Sequence, residues 1–175
     1  MKKINKILFA ATFIALLFSA LAKGQNITVS LSPVQNASLK NRQILVPVMV
    51  DISGMKEKLG SYTAELKWNV KALKLIKYYP CKEMGFDNPF INIKNKEKGI
   101  IEFNAVNVYG GEGNVNIMNF IFEVIDESYS DQPYEIKFSA MAAAQTFNDL
   151  LPCITELKYS TKENFINEKI EDKID

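Results

Sequence analysis

Histidine is absent from the 175 residues. Its absence removes every Ser-His-Asp or Cys-His nucleophile arrangement and every His-based zinc site. Cysteine is limited to Cys81 and Cys153, so neither has an imidazole to activate it as a reactive thiol. There is no Asp-rich calcium loop, and the glycines of the stretch from Tyr109 to Asn114 are followed by no Lys-Ser/Thr, so they read as a turn and not a phosphate cradle. Tryptophan occurs once, at Trp68, and only one apolar run is long, at the extreme N-terminus.

That run has the three regions of a secretory leader. Lys2, Lys3 and Lys6 form a basic start, Ile7 to Phe18 is apolar, and Ala20-Leu21-Ala22 supplies small residues for cleavage. Residues 1–22 are therefore read as a signal peptide. With no cysteine following the apolar run, a lipoprotein is not expected, and the mature chain is expected outside the cytoplasm, secreted or periplasmic. Without the three leader lysines, the 21 basic residues become 18 against 20 acidic ones, a net charge of −2. Such a chain has no basic footprint for nucleic acid or anionic membrane. Export also places Cys81 and Cys153 where disulfides persist. A bridge between them would close a loop of roughly 70 residues and contribute about 4 kcal/mol; the alternative is two free thiols.

The rest alternates with period two. Ile27, Val29 and Leu31 share one side of a short strand, and the stretch Gln43 to Ile52 is a longer β-branched run interrupted by Pro47. Lacking an N–H, Pro47 is expected at an edge or a bulge. Tyr62, Ala64, Leu66 and Trp68 alternate with Ser61, Thr63, Glu65 and Lys67, then Trp68-Asn69 marks a turn. Asn88–Lys94, the run from Ile100 to Val108, the apolar segment before Asp126, Tyr134–Ala140 and Ile154–Ser160 supply the remaining strands. About nine strands without an amphipathic helix between them predict an all-β sandwich over residues 23–160. The charged tail 161–175 differs: Ser160 and Glu163 resemble a capping box, and Ile166, Ile170 and Ile174 recur at helical spacing, enough for only a marginal helix.

In order, the β-branched run around Pro47, the strand and aromatic-Asn turn of Tyr62–Ile76, and the strands beginning at Gly99, Gly113 and Tyr134 resemble a cohesin module. The resemblance spans about Ile27 to Tyr159. It implies a nine-stranded jelly-roll sandwich and a non-catalytic, cofactor-free module that docks a calcium-loaded dockerin in extracellular polysaccharide degradation or surface assembly. It also implies a sheet order that sets Glu102, Asn104 and Val106 beside the outward residues Ser61, Thr63, Glu65 and Lys67, with Lys137 and Ser139 nearby. These would form a flat platform of the size a protein partner needs, about 800 Å². Two departures accompany the likeness: Ser61 and Thr63 stand uncharged where many cohesins carry acidic or polar dockerin contacts, and the chain holds one copy with no Pro/Thr-rich linker.

Other readings of the same face remain. Antiparallel sheets commonly leave one face in water with Thr, Glu and Lys upon it. A carbohydrate-binding module would need exposed rings for stacking, for which Tyr78, Tyr79, Tyr109 and Phe86 are the candidates, since Trp68 has core parity. Glu65 and Glu102 could in principle form a glycosidase pair, but a flat face offers no desolvating cleft. An edge pairing with a second copy is a further alternative, against which Pro47 argues.

Overall fold

A computed structural model describes residues 26–34, 42–81, 85–126 and 133–159. The expected leader 1–22 and tail 161–175 lie outside the described residues. Among the described residues nine strands follow in order: β1 (Ile27–Leu31), β2 (Gln43–Asp51), β3 (Leu59–Trp68), β4 (Leu73–Tyr79), β5 (Phe90–Asn92), β6 (Ile100–Gly111), β7 (Asn114–Val124), β8 (Tyr134–Ala143) and β9 (Ile154–Tyr159). Alternation in sequence becomes alternation in burial, because successive side chains of a strand face opposite ways. Ile27, Val29 and Leu31 are wholly buried while Thr28 and Ser30 are not, and β2 repeats the pattern over nine residues.

The strands form two sheets, β4-β7-β2-β1-β9 and β5-β6-β3-β8. Every pairing is antiparallel except β1 with β9. The result is the expected jelly-roll sandwich. Between the sheets, Trp68 of β3 meets Phe122 of β7 at 5.6 Å and Phe103 of β6 meets Phe120 of β7 at 5.5 Å. Tyr62 packs edge-on to Phe103 at 6.0 Å and donates its hydroxyl hydrogen bond to the Ile117 carbonyl of the other sheet, 3.1 Å away. Each such ring contributes about 2–3 kcal/mol through burial, so the face Tyr62, Ala64, Leu66, Trp68 fixes which way β3 is turned.

Pro47 differs from expectation in position. It lies in β2, a central strand with β7 on one side and β1 on the other, opposite Asn119. The β1 side is interrupted there: Leu31 pairs with Val48 and Val34 with Leu45, and Ser32-Pro33 between them make no ladder contact. Leu45 N–H donates to the Val34 carbonyl, so the position two residues on, Pro47, turns its missing N–H toward that gap. On the β7 side a register shift does fall next to it, between Val48 and Met49.

Cys81 and Cys153 are free, half-buried thiols, and no disulfide joins them. Cys81 follows β4 and Cys153 precedes β9, the two opposite edges of the five-stranded sheet. Four strand spacings of about 4.8 Å separate those edges, far beyond the Cα distance of about 7 Å that a bridge tolerates.

Candidate functional site

The outer face of the four-stranded sheet is built around β3. Its far end is held by the turn that follows: Asn69 Oδ1 accepts the Lys71 N–H at 2.9 Å, and the Trp68 N–H donates to the Gly99 carbonyl at 2.8 Å. Gly99 has φ +73°, and a Cβ there would run into the Trp68 carbonyl oxygen, so the approach of the β5–β6 connection to β3 requires glycine. With Trp68 pinned inward, Ser61, Thr63, Glu65 and Lys67 point out; the first three are half-buried and Lys67 is exposed.

Register then assembles the face row by row. Ser61 lies opposite Val106, Thr63 opposite Asn104 and Glu65 opposite Glu102 on the β6 side. On the β8 side Glu65 faces Lys137 and Lys67 faces Glu135. A register shift between Thr63 and Ala64 leaves Ser139 as the extra residue of β8, exposed beside Ala140. β5 adds Phe90 opposite Asn104 and Asn92 opposite Glu102. All seven residues expected to make the platform therefore share one face, with Lys137 and Ser139 alongside. Lys67 pairs with Glu65 at 3.1 Å, and Asn92 Nδ2 donates to Glu102 Oε2 at 2.8 Å. The platform holds a shallow concavity of about 360 Å³ across β5, β6, β3 and β8, lined among others by Thr63, Glu65, Phe90, Asn92, Glu102, Asn104, Lys137 and Ser139.

One end of the face is apolar, which strand alternation did not foretell. Between Ser61 paired with Val106 and Leu59 paired with Gly111, four residues of β6 oppose the single Gly60. Asn107 Oδ1 accepts the N–H groups of Tyr109 and Gly110, at 3.0 and 3.2 Å, and so folds the extra residues into a bulge that lifts Val108 and Tyr109 outward. The turn after β8 closes beside it; a Cβ on Gly110 would meet the Ala144 methyl at 2.8 Å. Val106, Val108, Tyr109, Phe90 and Phe147 are 67–81% exposed, well above the other large apolar residues described, and all five belong to this sheet or to the turn leaving β8. A signal for the bulge was present in Asn107 and Gly110-Gly111; Phe147, in a turn without periodicity, offered none.

The aromatic strip considered for sugar stacking does not assemble. Phe86 is buried against Tyr62, ring centroids 5.4 Å apart, contrary to its expected exposure near a strand end. Tyr78 and Tyr79 are half-buried on β4, the edge of the opposite sheet, which leaves Tyr109 alone as a fully exposed ring of the four.

No family model and no curated protein sequence matches the chain. Solved structures do. The cohesin of OlpA from Clostridium thermocellum, in complex with a dockerin, is similar at a TM-score of 0.56 with 16% identity, covering 77% of this chain and 99% of that one. The sixth cohesin of scaffoldin B from Acetivibrio cellulolyticus, bound to a Cel5 dockerin, gives 0.54 at 13% identity over 78% and 95%. The seventh type I cohesin of ScaB from Pseudobacteroides cellulosolvens gives 0.54 at 12% over 78% and 88%. The chain is thus a cohesin-like module in its fold, as the resemblance implied.

Proposed function

We propose that this protein is a non-catalytic docking module that receives a protein partner on the outer face of β5-β6-β3-β8, through Ser61, Thr63, Glu65, Lys67, Glu102, Asn104 and Val106. One observation carries the reading: the most exposed large apolar residues described, Phe90, Val106, Val108, Tyr109 and Phe147, gather on or beside this face, where a solvated sheet would have polar ones. Apolar anchors beside ordered charge are what a protein interface combines. Support also comes from the solved cohesins of the same fold that hold dockerins. With the leader-like segment at 1–22, this favours an extracellular setting and a dockerin-bearing partner, of the kind used in polysaccharide degradation or surface assembly.

Calorimetric titration of the full chain against a panel of calcium-loaded dockerins tests this. At least one is expected to bind with a Kd of about 1 μM or better, and Val106→Asp is expected to weaken that binding at least about tenfold without lowering the melting temperature. A panel with no binder, or one bound equally by wild type and Val106→Asp, would refute the proposal.

A further inference from the structure

The face changes character along its strands, and the middle of it is organised around one carboxylate. The cross-strand row is Asn92, Glu102, Glu65, Lys137. Glu65 and Glu102 stand directly opposite each other, an arrangement that costs stability and that the fold itself does not need. Glu65 is neutralised by Lys67, whereas no described cation makes an ion pair with Glu102. Its only described partner is the amide of Asn92, a neutral donor that fixes the carboxylate's orientation and leaves its charge in place. Beside it the Phe90 ring, 70% exposed, forms a wall of the same shallow concavity.

Resting on the docking reading above, we infer that the partner delivers an arginine side chain into this concavity. An oriented, unneutralised carboxylate accepts a guanidinium through two parallel N–H···O bonds, and an exposed aromatic face stacks on the same planar cation. Lysine would satisfy the charge but neither the paired geometry nor the stacking. The second anchor is apolar and lies where Val106 begins the exposed end of β6, four residues along the strand from Glu102. At about 3.3 Å per residue the two anchors are about 13 Å apart. A partner helix rising about 1.5 Å per residue would therefore carry its arginine and its apolar anchor about seven to nine positions apart, two turns on one side.

Panning a displayed library of randomised helical peptides on the full chain tests this whatever the identity of the natural partner. Enriched peptides are expected to share an arginine with an apolar residue two turns away. Glu102→Gln should weaken them about tenfold, Phe90→Ala should weaken them measurably, and replacing the peptide arginine by lysine should lose most of the binding, with melting temperatures unchanged throughout. Enriched peptides without arginine that ignore Glu102→Gln yet are lost in Val106→Asp would overturn the arginine inference and leave the docking face standing. Binders indifferent to all three substitutions, or no enrichment, would overturn both. A concentration-dependent dimer abolished by Glu102→Gln would also overturn it, by assigning the face to a second copy.

Discussion

Two buried tyrosines show how much a single hydroxyl decides. Tyr62 and Tyr134 both lie in the core, yet the Tyr62 hydroxyl donates to the Ile117 carbonyl while the buried Tyr134 hydroxyl has no hydrogen-bond partner among the described residues. Removing a satisfied buried hydroxyl costs the bond, and removing an unsatisfied one relieves a desolvation penalty. Tyr62→Phe should accordingly lose about 1 kcal/mol, whereas Tyr134→Phe should be neutral or more stable, both read from urea unfolding curves. That Tyr62 is a core residue was legible from its parity with Ala64, Leu66 and Trp68. That its hydroxyl bridges the sheets was not, because the partner carbonyl lies 55 positions away in sequence and carries no side-chain signature.

At the scale of elements, strand edges and close approaches do the positioning. The Ile136 N–H of edge strand β8 donates to the Tyr159 hydroxyl of β9 at 3.2 Å, which ties the two sheets at one open side, and farther along, the turn after β8 folds back so that Ala142 pairs with Asp149. These contacts occupy an edge that would otherwise recruit another chain. On the other side of the platform Gly99 lets the β5–β6 connection reach β3. Gly99→Ala should destabilise by about 3 kcal/mol, since it combines a positive φ with a collision against the Trp68 carbonyl; thermal or urea unfolding measures it. Strand existence was legible almost throughout, from alternation alone. Pairing was less so: Pro47 was expected at an edge or bulge, but a proline is also accommodated in a central strand when its neighbour breaks register opposite it. The Cys81–Cys153 bridge failed for the same reason, since which strands form the sheet edges is decided by long-range order and not by spacing.

For the molecule as a whole, the titrating groups set a broad stability plateau. The hydroxyl and backbone N–H of Ser53 both donate to Asp51 Oδ1, at 2.6 and 2.9 Å, and with Lys158 nearby they hold its carboxyl below the usual range. Its folded form thus binds fewer protons than the unfolded chain, so its contribution is present above about pH 4 and is lost as pH falls below that. Burial pushes the Tyr62 and Tyr134 phenols up, so their contribution is present below about pH 10 and is lost as pH rises past it, where the unfolded chain ionises first. Stability should be level from about pH 5 to 9 and fall more steeply on the alkaline side, checked by melting temperature against pH with phenolate absorbance as the companion signal.

In the polar half of the platform, alternation made the outward side of β3 and of β6 legible, Glu65 and Lys67 on one and Glu102 and Asn104 on the other, while their placement side by side came from the sheet order that the cohesin resemblance implied. In its apolar half Val106 was expected on the face, whereas Val108, Tyr109 and Phe147 were hidden in a bulge and a turn, where period-two reasoning stops. The most direct measurement is an amide and methyl NMR map of the full chain bound to whichever dockerin or selected peptide binds tightest. Perturbations are expected to concentrate on Ser61, Thr63, Glu65, Glu102, Asn104 and Val106 and to spare the outer residues of β2 and β7. Perturbations centred instead on Leu45, Met49 and Ile121 of the five-stranded sheet would contradict the assignment of the docking face.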